Sequence, residues 1–196
     1  MGLSIIRRWP LTLGIAVCAA ALMVCEPAAR WLQYDRSLIL RGQIFRLMSC
    51  HLTHWSYVHA LWSGMAFIVL AGMCERQSRL LTMMTISISA LAIGGAIWWL
   101  LPQVEVFRGL SGIDSALLGL VAVMMLKTPG RLARSLALAA MILFVLKLGS
   151  EMLGFRSVFL GRDSDIVPLP TAHLVGFVTG ICASFGPIKP RFQFGN

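Results

Sequence analysis

Long apolar runs separated by short polar stretches organise this chain. Six stand out: Leu11–Ala29, Tyr57–Met73, Leu80–Leu101, Ser111–Leu126, Leu132–Leu148 and Thr171–Pro187. A helix needs roughly 20 mostly apolar residues to cross a bilayer, whereas a membrane barrel uses alternating strands of roughly ten. The pattern therefore predicts an all-α, polytopic membrane protein, a bundle of six transmembrane helices forming a single domain over residues 1–196. Two runs, Ser111–Leu126 and Thr171–Pro187, are short for a full span. Both are rich in Gly, Ser and Ala, which lets helices approach closely in lipid. No internal repeat or low-complexity tract interrupts the pattern.

Composition sharpens this expectation. Hydrophobic residues make up 58% of the 196 positions and charged residues only 13%. A soluble domain is about half apolar and about a quarter charged, so a soluble enzyme, a disordered regulator and a secreted disulfide scaffold are excluded as classes. The net charge of +9 would suggest nucleic acid in a soluble protein. Here the basic residues flank apolar runs, where orientation signals and anionic lipid headgroups account for them, and no nucleic-acid partner is expected. The five cysteines, Cys18, Cys25, Cys50, Cys74 and Cys182, form no CxxC pair and read as small core residues rather than a disulfide framework.

Arg7-Arg8 ahead of a run that closes on Pro27-Ala28-Ala29 also resembles a secretory signal. The run is long for one, and no soluble mature domain follows, so an uncleaved first helix is expected. Lys and Arg in short loops favour both termini inside: Arg7, Arg8, Arg76, Arg79, Lys127, Arg131, Arg134, Lys189 and Arg191 then face the cytoplasm. Arg108, Arg156 and Arg162 stand in the outer loops, and Arg30, Arg36, Arg41 and Arg46 in the long first loop weaken the bias without reversing it.

Ionisable or nucleophilic groups inside spans are costly and mark function. His54 and His59 lie at the start of the second run, Gly109-Leu110-Ser111-Gly112 opens the fourth, and His173 opens the sixth. With the termini inside, all three places share one depth near the outer face. Ser111, between Gly109 and Gly112, sits at a helix N-terminus, where free N–H groups and the helix dipole favour a developing negative charge. That is what an acyl-transfer nucleophile needs for its oxyanion. His173 is the candidate general base, since serine is inert without one. Gly176 and Gly180 share its helix face and allow close packing on the Ser111 helix. Each feature alone has a bland reading, a chance GxSG or a packing histidine; their joint order points to chemistry.

This set resembles the rhomboid intramembrane serine proteases. Gly109-Leu110-Ser111-Gly112 with Gly119 looks like that family's serine helix, and Ala172-His173-x-x-Gly176-x-x-x-Gly180 like its histidine helix. Arg46, His54 and His59 fit its first loop and second helix, and Glu75-Arg76 the end of that helix. Leu32-Gln33-Tyr34-Asp35-Arg36 and Gly42-Gln43-x-Phe45-Arg46-Leu47, with the compact length, are most similar to the rhombosortase branch, which processes proteins with a GlyGly-CTERM sorting tail. The resemblance implies a Ser–His dyad, Ser111 with His173. The Ser111 amide and the His59 side chain, with Ser63 as a further donor, would hold the oxyanion. It implies membrane-anchored protein substrates cut near the outer face, and a bacterial inner-membrane location.

Departures accompany the match. Ser63 stands where the family usually has an Asn on the oxyanion, Ser115 where an aromatic or His often packs on the catalytic histidine, and Cys50 where some relatives carry a further His, with His51 one residue out of step. Asp114, a carboxylate one turn below the nucleophile, could be protonated, bond a neighbouring helix, or tune His59 or His173; a structural role is favoured. His51, His54 and His59 lack a Cys, Asp or Glu at metal-ligand spacing, so neither a metal nor another cofactor is expected. The segment Glu151–Pro170 is expected to cap the site. An inactive rhomboid-like binder of transmembrane helices, or a small proton-coupled transporter using the buried His residues and Asp114, are the other classes; the sequence leaves the oligomeric state open.

Overall fold

A computed structural model of the chain describes residues 9–154 and 168–186. Its helices are α1 (Pro10–Val24), α2 (Glu26–Leu32), α3 (Arg36–Leu40), α4 (Arg46–Ser49), α5 (Tyr57–Gln77), α6 (Arg79–Leu100), α7 (Ser111–Lys127), α8 (Arg131–Met152) and α9 (Pro170–Ala183). A short 3-10 turn covers Cys50–Leu52. Two two-residue strands, β1 (Tyr34–Asp35) and β2 (Val106–Phe107), pair antiparallel with Tyr34 opposite Phe107. The apolar runs fall in turn on the α1–α2 pair, α5, α6, α7, α8 and α9. Arg7, Arg8, Arg156, Arg162, Lys189, Arg191 and most of the expected cap lie outside the described residues.

The first run is not one straight helix. It breaks at Cys25, where the chain direction bends by 118° between α1 and α2. Pro27 explains the break: it has no amide to donate to the preceding turn, and its ring collides with the carbonyl there. Expected as part of a cap, Glu151 instead belongs to α8, which runs four residues past Leu148.

Three helices, α5, α6 and α8, are each long and apolar enough to cross a membrane, and the bent α1–α2 pair passes the same test as one unit. At about 1.5 Å per residue, the 14 residues of α9 reach only about 21 Å, short of the roughly 30 Å hydrocarbon core. α7 is short for a different reason. It is the central helix, with twelve of its residues buried, among them Gly112, Asp114, Ser115 and Gly119, so neighbouring helices rather than lipid surround it. Outer faces carry the apolar surface: Leu143, Val145 and Leu146 on α8 and Trp99 on α6 are each more than 60% exposed, a coat that suits hydrocarbon and not water. Cys50 and Cys74 are buried as expected, while Cys18, Cys25 and Cys182 are exposed.

Two close contacts set the bundle. α7 and α9 pack backbone to backbone: Gly176 lies on the Gly112 carbonyl and Gly180 on the Ala116 carbonyl, so close that no Cβ fits at either glycine. A Cβ on Gly119 would lie 2.5 Å from the Phe177 carbonyl. At the opposite end of the bundle from His59, the buried Glu75 of α5 accepts from the Leu11 amide (3.1 Å), the Thr12 amide (2.8 Å) and the Thr12 hydroxyl (2.8 Å). The two amides are orphan donors of the first turn of α1, and the carboxylate also suits that helix's positive end.

The loop between α2 and α5 is ordered by buried arginines. Arg46 donates to the carbonyls of Arg30 (3.1 Å) and Gln33 (2.8 Å) and to the Gln43 side chain (2.8 Å). Arg108 donates to Glu26, Gln33 and the His54 carbonyl. His51 is buried between two backbone carbonyls, Gly109 (3.2 Å) and Ala90 (3.1 Å), which ties loop, α6 and the approach to α7 together. Burial holds the His51 imidazole below its ordinary value of 6.5, against the pull of those carbonyls. Burial, helped by the charge of His59, pushes His54 down to about 3.

Two outcomes follow from this packing. Gly180→Leu is expected to force α7 and α9 apart, costing at least about 3 kcal/mol, the upper end for overpacking, seen as a lowered Tm in detergent. His54 stays neutral in the folded protein at pH values where the unfolded ring, near 6.5, takes up a proton. Its stabilisation is complete above about 6.5 and is lost as pH falls below it, by up to about 1.4 kcal/mol per pH unit. His54→Phe is expected to flatten the fall of Tm between pH 6.5 and pH 4.

Candidate active site

Three helix N-termini and one C-terminus converge at one end of the bundle. Ser111 is the first residue of α7, His59 lies in the first turn of α5, and His173 in the first turn of α9. The last turns of α8 add Lys147 and Glu151. A cavity of about 290 Å³ opens there, lined by Ser111, His173, His59, Asp114 and Lys147 with Trp62 and Phe144 among its apolar walls. Pro168 and Leu169, the described end of the expected cap, also line it.

The loop before α7 dictates how Ser111 is presented. Gly109 has φ +140°, a region L side chains rarely adopt. A Cβ there would lie 3.0 Å from the His59 ring and 3.8 Å from Ser111 Oγ. Glycine is thus required twice, for the backbone and for the approach of His59. Leu110 offers α7 no side-chain cap, so the first amides of the helix stay open at its positive end. Gly112 meets Ala172 and Ile93: a Cβ would lie 3.2 Å from the Ala172 carbonyl and 2.9 Å from Ile93. That contact carries His173, the next residue after Ala172, to Ser111.

His173 Nε2 lies 3.0 Å from Ser111 Oγ, across 62 residues of chain. On the other side of the ring, His173 Nδ1 lies 2.7 Å from Glu151 Oε2 and 3.1 Å from Lys147 Nζ. Lys147 donates to Glu151 Oε1 at 2.6 Å. The sequence reading missed both α8 residues. A signal existed, because Lys147 and Glu151 are four apart and so share a helix face, at the same end of the bundle as Ser111. Assigning Glu151 to a loop hid it.

The remaining expected residues divide. Ser63 Oγ donates to Asp114 Oδ2 at 2.5 Å, so its one proton is directed at that carboxyl rather than at Ser111. Asp114 thereby bonds the neighbouring helix α5, the structural alternative among those considered; its Oδ1 has no partner among the described residues. Ser115 donates to the Ser111 carbonyl at 2.9 Å. His54 precedes α5 rather than opening it, and stacks edge-on to His59 with ring centroids 5.2 Å apart.

A family model described as the Rhomboid domain matches residues 41–189, which hold α4 to α9 and every residue of this site. Comparison with curated proteins gives no match. The matched stretch covers most of the chain, and the chain belongs to the rhomboid family, membrane proteins that are typically intramembrane serine proteases acting on membrane protein substrates.

Proposed function

We propose that the protein is an intramembrane serine endopeptidase with a Ser111–His173 dyad, built as one membrane domain of six spans with both termini cytoplasmic. The observation that carries this is the 3.0 Å approach of Ser111 Oγ to His173 Nε2 inside a cavity at one end of the bundle. His173 takes the Ser111 proton as Oγ attacks a peptide carbonyl. The imidazolium then protonates the leaving amine, and water hydrolyses the acyl-enzyme by the same steps in reverse order of roles. The Ser111 amide and the His59 side chain stabilise the oxyanion, the former at a helix N-terminus where charge of that sign is favoured.

A substrate must present an unwound segment, because helical carbonyls are hidden by their own hydrogen bonds. A membrane-anchored protein with small residues near the outer face meets that need. The first-loop motifs favour the rhombosortase branch, hence C-terminal GlyGly-CTERM-type anchors of exported proteins in a bacterial inner membrane.

One observation favours a second reading, an inactive rhomboid-like binder of transmembrane helices: Ser63 is engaged by Asp114 and leaves the oxyanion with one donor fewer than the family usually offers. The test separates the two. A fluorophosphonate probe is expected to label Ser111 in the wild type, to give no label in Ser111→Ala, and to label His173→Ala at least about 10³-fold more slowly. An unlabelled but folded wild type favours the binder.

Within the site, Gly109→Ala is expected to slow labelling about 10²-fold by displacing His59 and Ser111, the scale set by misplacing a reacting group by about 1 Å. Ser63→Ala, whose proton is directed elsewhere, is expected to change it by less than about tenfold.

A further inference from the structure

His173 is held by two charged groups on α8, and they ask opposite things of it. Its Nδ1 faces Glu151 Oε2 at 2.7 Å and Lys147 Nζ at 3.1 Å. A neutral imidazole carries its proton on one nitrogen only. With the proton on Nδ1, the ring donates to Glu151, and Nε2 keeps a lone pair aimed at Ser111 Oγ, 3.0 Å away. With the proton on Nε2, Nδ1 accepts from Lys147, and the ring offers Ser111 a donor where a base is needed. The first arrangement can deprotonate Ser111 and the second cannot.

We propose that Glu151 is the positioning residue of this site: its carboxylate selects the tautomer of His173 that can act as base, so the Ser111–His173 dyad is extended to a Ser111–His173–Glu151 triad, with Lys147 as counter-ion to the carboxylate. The inference rests on the protease reading above. Three observations carry it. The Glu151 side chain is 2% exposed and the His173 side chain 8% exposed, so the contact is shielded from water. The two Glu151 oxygens are divided, Oε2 to the ring and Oε1 to Lys147 at 2.6 Å, so each acceptor has its own donor. Lys147 is 34% exposed on the cavity side and cancels the charge that a buried carboxylate otherwise carries alone. The oxyanion is served by the Ser111 amide and His59, and Glu151, bonded to the imidazole at Nδ1, acts through that ring. An orienting acid in this role also stabilises the imidazolium formed when Oγ gives up its proton.

The experiment uses the full-length protein in detergent and measures fluorophosphonate labelling of Ser111 as a maximal rate and a half-saturating probe concentration. Glu151→Gln keeps size and shape but removes the acceptor charge, leaving Lys147 as the charged group facing Nδ1. Its maximal rate is expected to fall on the order of 10³- to 10⁴-fold, the scale found when an orienting acid is replaced by its amide, with the half-saturating concentration within about threefold and the Tm close to wild type. Adding Lys147→Met to Glu151→Gln removes the donor that stabilises the wrong tautomer, and the double variant is expected to label at least about tenfold faster than Glu151→Gln alone, since one tautomeric preference of about 1.4 kcal/mol is worth that factor. If Glu151→Gln is not recovered folded, Glu151→Asp, whose carboxylate is drawn back by one methylene, serves instead and is expected to label at least several-fold more slowly than wild type. A Glu151→Gln or Glu151→Asp rate equal to wild type, or a double variant no faster than Glu151→Gln, overturns the inference while Ser111→Ala and His173→Ala still report on the dyad. Label that persists in Ser111→Ala overturns the protease reading and this inference with it.

Discussion

The contact on which the site depends is the backbone-to-backbone packing of α7 on α9. Gly176 against Gly112 and Gly180 against Ala116 leave no volume for a side chain. In lipid there is little hydrophobic drive between helices, so close van der Waals contact along small residues does that work. The distance between Ser111 and His173 is a consequence of this packing: each sits at the same end of its helix, one turn or less from the glycine contact. A wider helix separation would leave the same two residues at the same depth and out of reach of each other.

Around that pair, charge is placed where it has partners. Glu75 closes the first turn of α1 from the far end of α5, and Arg46 and Arg108 gather the carbonyls of a loop that would otherwise bury them unpaired. Asp114 meets Ser63, and Glu151 meets Lys147 and His173. These bonded sets tie different helices and loops together, which limits how the helices can slide. The outer faces of α6 and α8 present apolar side chains outward.

The apolar pattern located each principal helix, because run length and loop polarity are local properties. Ser111 and His173 were also legible as a candidate pair, since GxSG at one run and His followed by Gly at spacings of three and seven at another are short motifs on opposed helices. Ser63 was legible as a position and not as a partner: nothing in its neighbourhood along the chain says that its hydroxyl meets Asp114, 51 residues away. The bend at Cys25 was signalled by Pro27 but submerged by the apolar run around it. Glu151 was misplaced because a carboxylate at the end of an apolar run reads as the start of a loop, whereas a buried imidazole and an ammonium on the same face make one more helical turn favourable.

What the amino-acid order determined by itself is the class of molecule: a chain too apolar for water, divided into helices, with its candidate site residues at matching ends of separate runs. These follow from free energies of transfer and from helical periodicity, which act residue by residue. Tertiary structure decided which side chains meet. Whether Nδ1 of His173 faces a carboxylate, an ammonium or lipid depends on how α8 is rotated against α9, and that rotation is set by packing over the whole bundle, where no short stretch of sequence holds the answer.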